Sequence, residues 1–125
     1  MIIGSGDLFD PYDIVSKLKT SGVDGVAIAR GAIGNPWLFT QIKQLLQGQN
    51  DISRPTLCEQ GRVILEHFEM VTQLYKTAKA IRYFRKFLAQ YCKLHPQKRK
   101  ARAELMAATN PDQLHATIRK WYGIT

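Results

Sequence analysis

The most informative part of the chain is residues 25–39, which read Gly25-Val26-Ala27-Ile28-Ala29-Arg30-Gly31-Ala32-Ile33-Gly34-Asn35-Pro36-Trp37-Leu38-Phe39. The unbroken apolar run near its start is typical of a strand that is buried on both faces, as in a parallel sheet covered by helices. Arg30 follows this strand directly, with Gly31 beside it. Because ligands bind at the carboxyl ends of strands in α/β sheets and barrels, a cation among free backbone N–H groups here favours an anion, most simply a phosphate.

The residues before this strand predict its parallel neighbour. Met1-Ile2-Ile3 is apolar and leads into a tight, glycine-containing loop, Gly4-Ser5-Gly6-Asp7. Asp10-Pro11 then predicts the start of a helix, since aspartate caps helices and proline suits the first turn. A strand, a helix and a second strand form a crossover connection, which requires that the two strands be parallel.

After the second strand, Asn35-Pro36 predicts the cap and first turn of another helix, over about residues 36–47. Residues 49–55 are polar and contain a proline, so we interpret them as a linker. Trp37 and Phe39 are expected to be packing residues rather than to stack on a ligand. This part of the chain is therefore predicted to be an α/β domain over residues 1–48.

Everything beyond the linker has helical periodicity. Thr56 and Glu59 have the spacing of a capping box. Four helices are expected, over residues 57–75, 77–93, 97–107 and from Asn110-Pro111 to near Gly123. Short connections between them favour a small antiparallel four-helix bundle over residues 56–125. The predicted fold class is thus α/β followed by all-α.

The net charge of +8 lies entirely in the helical half. Residues 1–55 carry five cations and five acids, whereas residues 56–125 carry thirteen cations and five acids, and ten of those cations fall within the acid-free residues 76–102. Solvated helix faces usually mix both signs, so this run favours RNA binding.

A helical wheel divides this basic segment into two faces. One arc holds cations and the opposite arc holds the apolar residues Ile81, Phe84, Leu88 and Tyr91. The candidate RNA-binding residues are Lys79, Arg82, Lys86 and Lys93 on the cationic arc, with Arg85 on its flank. Tyr83 is expected to pack at the edge of the core rather than to stack on a base.

Several other classes of function find no support in the sequence. No apolar run approaches the ~18 residues of a membrane span, and the start has no leader pattern, so we expect a cytoplasmic protein without a membrane partner. Cys58 and Cys92 fit reduced core thiols better than a disulfide. The three histidines are scattered without zinc-ligand spacing, so no metal is expected.

The loop Gly4-Ser5-Gly6-Asp7 and the segment Ile28-Ala29-Arg30-Gly31-Ala32-Ile33-Gly34-Asn35-Pro36-Trp37 together resemble the last two barrel units of the tRNA-dihydrouridine synthases. These are FMN-dependent enzymes that reduce uridine in tRNA. In that family a TIM (β/α)8 barrel precedes a helical tRNA-binding domain, and the basic helix over residues 80–91 is similar to that domain's signature. The resemblance covers essentially all 125 residues. It implies an oxidoreductase that binds FMN and tRNA and uses NADPH as its reductant.

The resemblance also implies roles for individual residues. It implies that the FMN phosphate is held by Ser5, Gly6 and Asp7 and by Ala29 and Arg30. The family's usual pattern has asparagine where this chain has Ser5, and glycine where it has Ala29. Asp7 either shapes its loop or contributes a backbone N–H to the ligand.

The family's catalytic cysteine and the residues that hold the flavin ring lie on earlier barrel loops. Cys58 and Cys92 belong to the helical half, so no catalytic residue is assigned in this chain. We therefore expect an incomplete barrel, namely the C-terminal portion of such an enzyme without its N-terminal barrel portion, and no activity from these residues alone.

Two other functions remain open from the sequence. The helical half is also compatible with a stand-alone basic RNA-binding module that performs no chemistry. The two strand–helix units are also compatible with another phosphate-binding barrel enzyme, in which the basic helices would be an accessory.

Overall fold

The computed structural model describes residues 1–125, which divide into two compact units, Met1–Arg54 and Pro55–Thr125. The first unit contains strand β1 (Ile3–Ser5), helix α1 (Pro11–Thr20), strand β2 (Gly25–Ala27), a 3₁₀ turn (Arg30–Ala32) and helix α2 (Leu38–Leu46). The second contains α3 (Leu57–Leu74), α4 (Thr77–Tyr91), a 3₁₀ turn (Cys92–Leu94), α5 (Lys98–Ala107) and α6 (Pro111–Tyr122). None of these helices combines the length and the apolar character needed to cross a membrane.

The two strands of the first unit are parallel, with Ile3 opposite Gly25 and Ser5 opposite Ala27. Helix α1 connects them, as the sequence predicted, and it begins where expected. The carboxylate of Asp10 accepts a hydrogen bond of 2.9 Å from the amide of Asp13 and so caps the helix. This small parallel sheet is compatible with part of an α/β fold.

The core of the first unit lies between its helices and one face of the sheet. It consists of Leu8, Ile14, Val15, Leu38 and Ile42, with Val26 and Ile28 packed against it. The prediction that β2 is buried on both faces is wrong for this unit, because Ala27 is exposed. In a strand, alternate side chains point to opposite faces, and only one face of this sheet is covered by helices.

The start of α2 also differs from the prediction. Asn35 is not its cap, since the helix begins at Leu38 and Trp37 occupies the cap position without a side-chain hydrogen bond. A turn intervenes, in which Gly34 has a φ of +74° and the amide of Leu38 donates to the carbonyl of Asn35 at 3.3 Å. Phe39, expected to be a packing residue, is 53% exposed, so this unit alone does not bury it.

Part of the segment interpreted as a linker is bonded to α2. The side-chain amide of Gln41 donates to the backbone carbonyl of Ser53 at 2.8 Å, and the side-chain Oε1 of Gln44 accepts from the backbone amide of Ser53 at 2.8 Å. These bonds place residues 51–53 in the first unit, and the second unit begins at Pro55.

The second unit encloses one core with its four helices. Helix α3 packs against α4 and α6, and α5 packs against the same two helices. The largest fully buried side chains there include Phe68, Phe84, Leu105, Ile118 and Tyr122.

The predicted capping box at the start of α3 is confirmed, with the amide of Glu59 3.1 Å from Oγ1 of Thr56 and the amide of Thr56 2.7 Å from Oε2 of Glu59. Helix α4 ends at Tyr91, two residues earlier than predicted, because the next three residues tighten into a 3₁₀ turn.

Candidate functional site

The loops that follow β1 and β2 meet at one edge of the sheet and line a pocket of about 240 Å³. All five residues that the resemblance implied as phosphate ligands lie on it, namely Ser5, Gly6, Asp7, Ala29 and Arg30. The sequence indicated this grouping because the carboxyl ends of parallel strands lie at the same edge of a sheet.

The two loops can approach each other because Gly31 has no side chain. A Cβ atom at this position would lie 1.9 Å from the carbonyl oxygen of Leu8 and 3.2 Å from Cα of Phe9. Gly31 is therefore a structural requirement of the pocket that sequence reasoning did not identify. The feature of the sequence that could have identified it is the position of Gly31 directly after Arg30.

Arg30 is tied to the opposite loop by an ion pair. Its Nη2 atom lies 2.7 Å from Oδ1 of Asp7, and the two side chains are 75% and 78% exposed. Asp7 has a φ of +46°, in the left-handed region that aspartate tolerates better than most residues. The Asp7 carboxylate thus contacts Arg30, while the other guanidinium donors of Arg30 have no acceptor within the chain.

The pocket also presents polar groups of the backbone. The amides of Gly6, Asp7, Arg30 and Gly31 donate to no acceptor within the chain. Ala29 has a φ of −106°, so an alanine side chain is tolerated at the position where the resemblance implied glycine. Free amides beside a guanidinium and a serine hydroxyl match the acceptor oxygens of a phosphate group. A pocket of about 240 Å³ is smaller than the ~300–1,000 Å³ of sites that enclose whole ligands, so it fits a phosphate rather than a complete nucleotide.

A second candidate surface lies on α4 and the 3₁₀ turn that follows it. Lys79, Arg82, Lys86 and Lys93 are exposed, whereas Ile81, Phe84, Leu88 and Tyr91 are buried, as the helical wheel predicted. The three ion pairs of the structure are Lys17–Asp13, Arg30–Asp7 and Lys120–Glu104, so no cation of residues 76–102 is paired with an acid. We call these four exposed cations the basic ridge.

Arg85 differs from the residues of the basic ridge. Its side chain is half-buried, and Nη2 donates to the carbonyl of Ala108 at 3.2 Å. Its Nε atom is buried without a partner. The guanidinium of Arg85 therefore joins α4 to the segment between α5 and α6 and is not presented to solvent like its neighbours.

Lys93 lies beyond the end of α4 and lines an open groove of about 930 Å³ between α4 and α5. The other cations of this groove belong to α5 and are Lys98, Arg99 and Arg102. The 3₁₀ turn thus brings the end of the basic ridge next to a second group of unpaired cations.

Two lysines of the basic ridge lie over aromatic rings. Nζ of Lys79 is 4.9 Å from the centre of the Tyr75 ring, and Nζ of Lys86 is 4.2 Å from the centre of the Tyr83 ring. The rings of Tyr75 and Tyr83 are in turn 4.8 Å apart. Tyr83 packs against the core of the second unit at its edge, as expected.

The two cysteines both lie in the second unit. Cys92 is buried, and this burial raises the pKa of its thiol. Cys58 is half-buried on α3, and both cysteines are free. No group of three or more metal-binding side chains is present.

Comparison with known proteins gives one consistent family. The model of the dihydrouridine synthase (Dus) family matches residues 1–122. A probable tRNA-dihydrouridine synthase of Mycobacterium leprae is 29% identical over 122 residues, which are 98% of this chain and 32% of that protein. The tRNA-dihydrouridine synthase B of Pseudomonas putida is 30% identical over 121 residues, which are 97% of this chain and 36% of that protein.

A further relative, the tRNA-dihydrouridine synthase B of Shewanella oneidensis, is 36% identical over 90 residues, which are 72% of this chain and 28% of that protein. The chain thus spans about a third of the length of the curated relatives that it matches. From the family model, which covers nearly all of its length, the chain belongs to the dihydrouridine synthase family.

Proposed function

We propose that this chain is the C-terminal portion of an FMN-dependent tRNA-dihydrouridine synthase, which reduces uridine to dihydrouridine in tRNA. The observation that carries the proposal is the pocket between the β1 and β2 loops, where Arg30 keeps free donors beside four unpaired amides. The basic ridge, in the same chain, supplies a surface for a polyanion.

In this proposal the pocket holds the phosphate of FMN. Arg30 supplies the positive charge, the hydroxyl of Ser5 and the amides of Gly6, Asp7 and Arg30 supply hydrogen bonds, and Ala29 lines the wall. FMN, when bound, would supply the hydride for the uracil ring, with NADPH as the external reductant. The residues of this chain would anchor and orient the cofactor by its phosphate end.

The remaining parts of the flavin site, including the catalytic cysteine, would come from an N-terminal barrel portion. The curated relatives are about three times as long as this chain, which supports such a portion. The first unit also exposes apolar side chains that an adjoining part of a barrel would cover, namely Ile2, Ile3, Ile33 and Phe39. The 125 residues alone are proposed to be inactive, and the complete enzyme is proposed to work in the cytoplasm.

The basic ridge would dock tRNA through phosphate contacts. Lys79, Arg82, Lys86 and Lys93 have no acidic partner to displace, and the cations of the neighbouring groove extend the positive surface. Arg85, which the sequence predicts at the flank of this RNA-binding surface, would instead stabilise the second unit through Ala108.

The docking proposal is tested by charge reversal in the full chain. We expect Arg82→Glu combined with Lys86→Glu to abolish most binding of an unmodified tRNA transcript, measured by fluorescence anisotropy. Lys19→Glu with Lys43→Glu is the matched control, because it changes the net charge equally at two exposed lysines that make no side-chain bonds. Four phosphate contacts would give the parent a log–log salt slope of about −3. An equal loss in both variants would show diffuse electrostatic attraction and contradict a defined docking face.

The enzymatic proposal is tested by comparing this chain with a longer polypeptide that includes the upstream barrel portion. With tRNA, FMN and NADPH, we expect dihydrouridine to form only with the longer polypeptide. Arg30→Ala in that polypeptide should weaken FMN binding by about one to two decades, since a charged hydrogen bond is worth roughly 1.5–3 kcal/mol. RNA binding without FMN binding by the longer polypeptide would favour the alternative of a basic RNA-binding module.

A further inference from the structure

We propose that Tyr75 and Tyr83 are positioning residues that hold the ammonium groups of Lys79 and Lys86 in place before any polyanion binds. This inference rests on the proposed binding of RNA by the basic ridge. It assigns to two aromatic side chains a role in presenting charge, in addition to their role in packing.

The contacts of the two lysines carry the inference. Nζ of Lys86 lies 4.2 Å from the centre of the Tyr83 ring and 5.1 Å from that of Phe87, and Nζ of Lys79 lies 4.9 Å from the centre of the Tyr75 ring. All three distances fall within the ~6 Å at which the negative face of an aromatic ring attracts a cation.

The rings themselves are fixed. The Tyr75 and Tyr83 rings are 4.8 Å apart, the Tyr83 and Phe87 rings are 5.5 Å apart, and all three are half-buried against the core of the second unit. Neither tyrosine hydroxyl makes a hydrogen bond within the chain. Neither hydroxyl is among the buried polar atoms that lack a partner. The ring, rather than the hydroxyl, is therefore the group that holds each lysine.

An aromatic ring holds a lysine in a way that an acid cannot. A lysine side chain loses rotamer entropy when its ammonium group is fixed on a phosphate. A carboxylate partner would fix the ammonium group but would also neutralise it, as Glu104 does for Lys120 at 2.8 Å. Tyr75 and Tyr83 restrict Lys79 and Lys86 while leaving their positive charge available.

The same chain provides an internal comparison. Arg82 and Lys93 are exposed cations of the basic ridge, but neither lies over an aromatic ring. If the rings matter only as core packing, their removal should affect all four cations alike. If they position lysines, their removal should affect Lys86 and leave Arg82 unchanged.

The first readout does not require RNA. In the full chain, ring-current shifts should move the ε-methylene protons of Lys86 upfield in the NMR spectrum. We expect Tyr83→Phe to keep this shift and Tyr83→Leu to remove it, with far-UV circular dichroism showing that both variants remain folded. An unshifted Lys86 signal in the parent chain would overturn the positioning of this lysine, whatever happens with RNA.

The second readout is a double-mutant cycle on the affinity for an unmodified tRNA transcript. Tyr83→Leu should weaken binding about two- to fivefold, as expected for the loss of an exposed cation–π contact, and Tyr83→Phe should restore it. In a Lys86→Met background Tyr83→Leu should have no further effect, whereas in an Arg82→Met background its effect should be undiminished.

The outcomes separate the alternatives. If Tyr83→Leu still weakens tRNA binding in the Lys86→Met background, Tyr83 contacts the RNA directly, for example by stacking on a base. That result would overturn the inference. If Lys86→Met leaves tRNA affinity unchanged while the NMR shift is present, the docking proposal fails, and with it the part of the inference that concerns RNA.

Discussion

Nη2 of Arg30 lies 2.7 Å from Oδ1 of Asp7, so a single ion pair joins the loop after β1 to the loop after β2. Because both side chains are mostly exposed, the pair contributes little to stability, about 0–1 kcal/mol. Its effect is on the availability of Arg30, since the Asp7 carboxylate competes with any anion for the same guanidinium.

Replacing Asp7 should therefore strengthen phosphate binding by this chain. Asp7→Asn keeps a residue type that tolerates the left-handed backbone at φ +46° but removes the negative charge. We expect its affinity for inorganic phosphate to exceed that of the parent, and Arg30→Ala to lose binding by about tenfold or more. NMR titration of the amides of Gly6 and Gly31 measures both effects.

The two variants check each other. Weaker phosphate binding by Asp7→Asn would mean that the ion pair orients Arg30 rather than competing for it. Unchanged binding by Arg30→Ala would remove Arg30 from the site.

Gly31→Ala should destabilise the first unit. The added methyl group would overlap the carbonyl of Leu8, and a backbone atom cannot rotate away as a side chain can. We expect the free energy of unfolding to fall by about 1–3 kcal/mol. Urea denaturation measures this fall in a Trp121→Phe background, where Trp37 is the single tryptophan.

Gly4→Ala is the matched control for this substitution. The nearest atom to a Cβ at Gly4 is Cγ1 of Val23 at 3.5 Å, an ordinary contact distance. If both variants lose the same stability, the close approach of Gly31 to the carbonyl of Leu8 is not what makes glycine necessary there.

His95 should be essential to the second unit for a structural reason. It is buried, its Nδ1 accepts from the amide of Gln97 at 2.8 Å, and its Nε2 therefore carries the proton and donates to the carbonyl of Trp121 at 2.9 Å. His95→Ala leaves both partners without a bond, so we expect the free energy of unfolding to fall by roughly 2 kcal/mol or more.

Circular dichroism during urea denaturation would measure this change. His95→Asn, whose amide can replace one of the two bonds, should lie between the parent and His95→Ala. If the free energy of unfolding falls by less than about 0.5 kcal/mol in His95→Ala, as at ordinary surface positions, His95 does not have this structural role.

The second unit should lose stability in mild acid because of His67. Its ring packs against Phe84 and Phe87, its Nδ1 is 2.9 Å from the hydroxyl of Tyr91, and burial lowers the pKa of His67. In the unfolded chain a histidine has a pKa of about 6.5, so below that pH the unfolded state binds the proton more readily than the folded state. This contribution to stability is present above pH 6.5 and is lost as the pH falls towards the lower pKa of the folded state.

Urea denaturation at pH 7.5 and pH 5.5, on either side of the ~6.5 midpoint, should show a lower free energy of unfolding at the lower pH. His67→Gln should reduce the difference in free energy between the two pH values. An NMR titration gives the independent check. A His67 ring that titrates in the folded chain above the value of an unfolded histidine would reverse the predicted sign.

Local signals in the sequence determined where helices α1 and α3 begin. Asp10 and the Thr56–Glu59 pair cap helices where expected, because their hydrogen bonds join residues only three positions apart. The buried and exposed faces of α4 were also predictable, since each residue turns the chain by a fixed angle. The separation of charge between the two halves is a property of composition and needs no structure at all.

Only the tertiary structure decided which of these residues meet. The Arg30–Asp7 pair joins residues 23 positions apart, as does the bond from Arg85 to Ala108. The latter withdraws Arg85 from the flank of the cationic arc, where the helical wheel had placed it. The contact of Gly31 with the carbonyl of Leu8 likewise depends on how two loops pack. Such contacts depend on how segments that are distant in sequence pack together. A periodicity or motif within one segment does not specify that packing.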